Sequence, residues 1–224
     1  YILFTVGNFF AFLSLCFDFD TSLNSMKKEQ KEILTLHTRF PTIIGMAINP
    51  DQKVVEDKLT EKCLEIRKKV KSGGKEWLAD DTYTTLNTYD LCKDPDFSKI
   101  NEFVVNQVIH YCKAQSINLN CLNTNPVESW LNIYKKNNFQ EWHTHDDSMI
   151  SVAYYLRCND ASAKIYFKRP VLDTMSPRIL SYNNLNFEPG MALIFRSYLS
   201  HCVGHQKNND TRICLSYNFR KKYD

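Results

Sequence analysis

A chain of 224 residues is long enough for one substantial domain and short for two. Its 43% hydrophobic and 24% charged residues exclude a disordered or fibrous protein and fit a soluble globular one. A formal charge of +3 is too small to argue for nucleic acid or an anionic membrane as partner. The short basic runs Arg67–Lys69 and Arg220–Lys222 read as solvated faces.

The chain opens on an apolar, aromatic run, Tyr1–Phe17. It lacks the basic segment and cleavage site of a signal peptide and is short for a membrane span. Met26-Lys27-Lys28 resembles a natural start. Residues 1–25 are therefore expected to be a non-native or dispensable extension, with one domain over 26–224. Two apolar runs, Ile33–Leu36 and Thr42–Met46, flank Pro41 and predict extended structure on both sides of it.

From Asp51 to Val70 the apolar positions Val55, Leu59, Cys63, Ile66 and Val70 step by three or four, which predicts an amphipathic helix ending before Gly73-Gly74. A second helix is predicted over Asp96–Ala114, with Asp96 as N-cap and Ile100, Phe103, Val104, Val108 and Tyr111 on one face. After Pro126 the pattern turns to short β-branched and aromatic segments: Val127–Tyr134, Met149–Leu156, Ala163–Phe167, Ile179–Phe187, Met191–Phe195 and Arg212–Phe219. Turn residues such as Asn159-Asp160, Pro189-Gly190 and Asn208–Asp210 separate them. That density of strands predicts a sandwich, barrel or jelly roll carrying two helices, mainly β with some α. The eight cysteines form no C-x-x-C pair. Their irregular spacing fits reduced thiols in a cytoplasmic compartment better than a zinc ribbon or disulfide framework.

Four of the six histidines fall in two clusters, His143 with His145 and His201 with His205. On an extended chain residues i and i+2 share a face, so His143 with His145, or His145 with Asp147, can address one ion. Two imidazoles plus a third group, with coordination positions left open, suit Fe(II) binding O2 and a co-substrate. The bland alternative is a polar strand end with no metal. Arg212 follows His201 by eleven residues, on a strand whose alternation puts Arg212, Cys214, Ser216 and Asn218 on one face. Were that face inward, a buried guanidinium would need an anionic partner, which a dicarboxylate supplies through paired hydrogen bonds. The alternation by itself leaves open which face is inward. His205 falls in a loop and reads as solvent-exposed, Trp142 as a wall of the pocket or a substrate contact, and Cys214 as lining or filler.

The order H-x-(D/E/H)…H…(R/K) on short strands after two helices resembles the 2-oxoglutarate/Fe(II) dioxygenase superfamily. More narrowly, the chain resembles one family of 2-oxoglutarate/Fe(II) oxygenases. The matching segments are Arg39–Thr42, Thr82–Leu91, Ser129–Asn132, His143–His145, Ser151–Leu156, Pro189–His201 and Arg212–Asn218. The sequence departs from the pattern at Asp146, where proline is usual. The resemblance implies a double-stranded β-helix (jelly-roll) core with two N-terminal helices packed on it. It implies His201 as distal metal ligand and Arg212 as anchor for the far carboxylate of 2-oxoglutarate. Tyr134, nine residues before His143, and Asn132 on the same strand face become co-substrate contacts, joined by Ser216 and Asn218 of the Arg212 face.

Two metal-ligand sets are open. General chemistry favours His145, Asp147 and His201, because one carboxylate offsets half the Fe(II) charge. The family pattern favours His143, His145 and His201, with Asp147 orienting a ligand imidazole. Positions 143 and 147 would lie about 13 Å apart on a strand rising ~3.3 Å per residue, too far to act together. The implied reaction couples oxidative decarboxylation of 2-oxoglutarate to hydroxylation of a small-molecule or peptide substrate, using Fe(II), O2 and ascorbate as supporting reductant. No membrane partner is expected. The alternatives are a cupin-like dioxygenase with three histidines and no 2-oxoglutarate, in which Arg212 has no dedicated role, and a non-catalytic jelly-roll binding module whose histidines hold a structural metal or none.

Overall fold

The computed structural model describes residues 42–75, 77–126, 128–170, 179–181 and 188–222. The expected extension 1–25, the run Ile33–Leu36 and most of the Arg39–Thr42 segment lie outside the described residues. In chain order the elements are β1 (Ile44–Ile48), α1 (Gln52–Lys69), β2 (Tyr83–Thr84), α2 (Ser98–Ala114), β3 (Glu128–Tyr134), β4 (Gln140–His143) and β5 (Ile150–Arg157). They continue with β6 (Ile165–Lys168), β7 (Ile179–Ser181), β8 (Met191–Arg196), β9 (His201–Val203) and β10 (Arg212–Phe219).

The strands form two antiparallel sheets, β1-β8-β5-β10-β3-β2 and β4-β9-β6-β7. The larger sheet is apolar on one face and divided on the other, as the period of two dictates. Leu131, Ile133, Val152, Tyr154, Leu156, Ala192, Ile194, Ile213, Leu215, Tyr217 and Phe219 share a core with Leu59, Cys63 and Ile66 of α1 and Ile100, Val104 and Val108 of α2. Each such buried Leu, Ile or Val contributes about 1.5–3 kcal/mol. On the other face Tyr155, Leu193 and Phe195 pack with Ile165 and Phe167 of the smaller sheet, and Tyr134 and Cys214 pack with Val203. Polar side chains of β3 and β10 are therefore enclosed between the two sheets.

One polar residue on the inner face of α1 has a structural reason. Gln52 donates 2.8 Å to Leu156 O and accepts a bond from the Tyr154 hydroxyl. Gly190, at φ 88°, lies so close to it that an added Cβ would sit 2.7 Å from Gln52 Cβ; this is the Pro189-Gly190 turn entering β8.

Asp96 does not cap α2. The helix starts at Ser98, after a 3-10 turn over Pro95–Phe97 that is capped by Asp94, whose carboxylate accepts from Asp96 N at 3.0 Å. Pro95 has its φ preset and no N–H to leave unpaired, so the first turn forms one step earlier than the apolar stripe suggests. The Asp96 carboxylate instead holds Lys58 and Lys62 of α1, at 3.0 and 2.7 Å. Strands β4 and β9 were not foreseen as separate strands; they are short, and their histidines and polar residues carry little β signal. Of the segment 179–187 only Ile179–Ser181 is described, as β7. Among the described residues all seven cysteines are free thiols, and no helix is long and apolar enough to cross a membrane.

Candidate metal centre

Three imidazoles meet between the sheets. The ligand atoms offered by His143, His145 and His201 all lie within 4.8 Å of one another. The chain brings them together by three different local devices. His201 opens β9 and pairs with His143 at the end of β4. Between Gln140 and His143 the β4–β9 register shifts by a bulge, and so residues an odd number apart can line the same cavity. The strand then ends. His145 reaches the cluster through a turn in which its N–H donates 3.1 Å to Ser197 O and its carbonyl accepts from Ser148 N at 2.9 Å. The strand parity of i and i+2 is thus not what joins His143 to His145.

Each ring has a fixed orientation. His143 Nδ1 lies 2.8 Å from Glu141 O and His201 Nδ1 lies 2.8 Å from Leu199 O. A carbonyl only accepts, so both rings donate from Nδ1 and keep the Nε2 lone pair for a ligand bond. His145 Nδ1 lies 3.1 Å from the Asn218 amide nitrogen, which also donates 2.9 Å to Glu128 Oε2, while Asn218 Oδ1 accepts from Ser151 Oγ at 2.9 Å. Burial lowers the pKa of His143. Burial, then repulsion from His143, holds His145 at about 4. Burial, reinforced by both neighbours, drives His201 well below the usual histidine range. All three are neutral at pH 7, the state that binds a metal ion.

Arg212 settles the orientation that alternation left open. It is 1% exposed and lines the same cavity as the three histidines, together with Asn132, Tyr134, Cys214, Ser216 and Asn218. Its guanidinium carbon stands 4.5 Å from the Tyr134 ring centre and 5.0 Å from that of Tyr155. Its Nε and Nη1 have no hydrogen-bond partner among the described residues, and neither does Asn132 Oδ1. Asn132 Nδ2 donates 3.1 Å to Ser216 Oγ, and the Tyr134 hydroxyl donates 3.0 Å to Gln140 Oε1. A desolvated cation with spare N–H groups, facing polar acceptors and three neutral imidazoles, suits a ligand with carboxylates at one end and metal-binding oxygens at the other. The donor set fits Fe(II), and the two unpartnered guanidinium nitrogens, Nε and Nη1, fit a carboxylate of 2-oxoglutarate.

The remaining candidates lie elsewhere. Asp147 is 88% exposed and stands 3.8 Å from Arg220. Asp146 accepts from Thr144 Oγ1 at 2.6 Å. His205 is exposed and stacks on Phe139, centroids 4.5 Å apart. Trp142 carries Lys168 over its ring at 4.4 Å and does not line the cavity. Sequence reasoning missed Gln140, because its odd spacing from His143 hides it without the bulge. It also missed Tyr155, one of two adjacent tyrosines with no local sign of which faces in, and Glu128. For Glu128 the parity of Trp130, Asn132 and Tyr134 was an available signal.

The fold is shared with solved structures. A prolyl-4-hydroxylase from Pseudomonas putida is similar with a TM-score of 0.58 at 13% identity, over 81% of this chain and 94% of its own. AviO1 from Streptomyces viridochromogenes Tue57 gives 0.55 at 10% identity, over 80% and 90%. HygX from Streptomyces hygroscopicus, solved with nickel, 2-oxoglutarate and hygromycin B bound, gives 0.54 at 11% identity, over 81% and 84%. At such identities the likeness is one of fold: the mainly β, antiparallel jelly roll of the 2-oxoglutarate/Fe(II) oxygenases. Residues 128–218 match the family model described as "Putative 2OG-Fe(II) oxygenase". The matched segment carries all three histidines and Arg212 and is similar to that family. No curated protein sequence matches the chain significantly.

Proposed function

We propose that residues 26–224 form a non-haem oxygenase domain that couples oxidative decarboxylation of 2-oxoglutarate to hydroxylation of its primary substrate. The observation that carries this reading is the buried, incompletely partnered Arg212 in one cavity with three convergent neutral histidines. His143, His145 and His201 would hold Fe(II). Arg212 would grip the far carboxylate, with Asn132, Tyr134 and Ser216 lining the co-substrate's path. When bound, Fe(II) and 2-oxoglutarate supply the O2-dependent redox chemistry.

The chain's own residues position and enclose. Tyr134 and Tyr155 flank the guanidinium and keep it aimed while water is excluded. Asn218 differs from the other polar residues on β10. Its amide is already engaged by Glu128, Ser151 and His145, which supports a role in orienting the His145 ring. The cupin-like alternative gives Arg212 no partner, and neither does a non-catalytic module, even one whose histidines hold a structural metal. The free cysteines support a reducing, cytoplasmic setting. The test is to incubate the protein with Fe(II), ascorbate, 2-oxoglutarate and O2 and to measure succinate. Succinate that depends on both iron and Arg212 is the expected result; failure of 2-oxoglutarate to bind the iron-loaded protein would refute the reading.

A further inference from the structure

Beside the candidate metal centre lies a second, larger cavity of about 640 Å3, within the range of small-molecule sites. Its walls come from the loop at Leu86–Asp90, the turn at Lys93–Pro95 and the start of β3. Hydrogen bonds tie the loop and turn to β3. Ser129 Oγ donates to Asp90 Oδ1 and accepts from Cys92 N at 2.9 Å. Thr85 N donates to Leu131 O, and Leu131 N to Thr85 Oγ1, both at 2.9 Å.

Trp130 is the one described residue that lines both cavities, and its ring centre lies 5.7 Å from that of His145. It is 4% exposed, and its indole N–H, shielded from solvent, meets no acceptor among the described residues. A buried tryptophan ordinarily finds a partner for this group, because a desolvated donor left unpaired is costly. An acceptor that takes this proton sits at the boundary between the groove and the metal centre.

The groove's carboxylates are matched within the protein. Asp94 pairs with Lys62 at 3.0 Å, Asp90 with Lys93 at 3.4 Å and Glu128 with Arg220 at 3.2 Å. An ion of either sign entering the groove would shed water without meeting an unmatched counter-charge. Asn87, Thr88, Ser129 and Trp130 complete the wall with uncharged polar groups. The ligand that loses least on entry is therefore uncharged, and the ligand that gains most carries a hydrogen-bond acceptor for the indole.

We propose that this groove binds the primary substrate, an uncharged polar small molecule with an acceptor oxygen that takes the Trp130 N–H. Trp130 then determines specificity, since it fixes where the substrate lies against the neighbouring metal centre. The proposal rests on the oxygenase reading of that centre.

The test uses the full-length, metal-free protein and three probes of similar size that differ in charge: N-acetylalanine methylamide (uncharged), N-acetylalanine (anionic) and alanine methylamide (cationic). Saturation-transfer NMR follows the probes. Heteronuclear NMR follows the Trp130 indole N–H, isolated as the only indole signal in a Trp77→Phe, Trp142→Phe double variant. The uncharged probe should bind saturably, at least tenfold more tightly than either ion, and should move that signal downfield. Trp130→Phe keeps an aromatic ring and removes the donor; with its fold checked by melting temperature, it should bind the probe about threefold to tenfold more weakly. If the uncharged probe binds as expected but 2-oxoglutarate fails to bind the iron-loaded protein, the oxygenase reading falls and the groove stands as a ligand site. A stationary indole signal, an equal or tighter charged probe, binding by none of the three, or wild-type affinity in folded Trp130→Phe would overturn the assignment.

Discussion

Replacing Arg212 with methionine should make the protein more stable and abolish its co-substrate site. The guanidinium is 1% exposed, and two of its nitrogens lack partners among the described residues. Burying an ion costs several kcal/mol even after relaxation. The two flanking tyrosines, at 4.5 and 5.0 Å, return about 0.5–2 kcal/mol each as cation–π contacts. Tyr155 also bonds the guanidinium through its hydroxyl, which leaves Nε and Nη1 for a carboxylate. Methionine fills much of the same volume without charge, so Arg212→Met should stabilise the co-substrate-free protein by about 1–3 kcal/mol, or ~2–4 °C in melting temperature per kcal/mol at this size. Affinity should move the other way. Truncating a buried charged contact costs ~2–5 kcal/mol, which is about thirtyfold or more in 2-oxoglutarate binding. Calorimetric titration of anaerobic, Fe(II)-loaded protein measures the affinity, and scanning calorimetry without co-substrate measures the stability. Arg212→Lys should fall between, since it keeps the charge and loses the two-pronged geometry. A lower melting temperature for Arg212→Met without co-substrate would show that the guanidinium is already satisfied by the protein. Unchanged 2-oxoglutarate affinity would remove Arg212 from the site.

Iron content after anaerobic loading should fall in His143→Ala, His145→Ala and His201→Ala and hold in Asp147→Ala; retention in His143→Ala with loss in Asp147→Ala would instead establish the carboxylate-containing set. Asn218→Ala should weaken metal affinity about tenfold to a hundredfold by freeing the His145 ring, and an unchanged metal dissociation constant would refute that role. Acid stability should report the Asp94 cluster. Burial alone would raise the Asp94 pKa, but the Tyr89 hydroxyl, the Asp96 N–H and the Lys62 ammonium outweigh it and hold the group below its ordinary value of 3.8. A carboxyl depressed on folding adds stability that is present above that value and lost as pH falls through the folded pKa. The stability gap between wild type and Asp94→Asn should therefore be constant at neutral pH and close below about pH 4, and a gap independent of pH would contradict the assignment.

The sequence by itself determined the outline. The apolar stripe of Leu59, Cys63 and Ile66 and the alternation through Leu131–Ile133 and Ile213–Phe219 depend only on helix and strand periods, and these periods are local. The H-x-H pair, the later histidine and the following arginine were legible for the same reason, as residue types whose chemistry is unusual at close spacing. Three things required the tertiary structure. Which face of β10 turns inward depends on the second sheet, because a period of two is symmetric until something covers one side. The meeting of His143 with His145 depends on a bulge in β4 and a turn tied to Ser197, neither of which leaves a signal in residue spacing. The groove beside Trp130 joins residues 86–95 to β3 across some forty positions of chain. Only packing brings such distant segments together, since their proximity follows from the burial of shared apolar surface and not from the order of their residues.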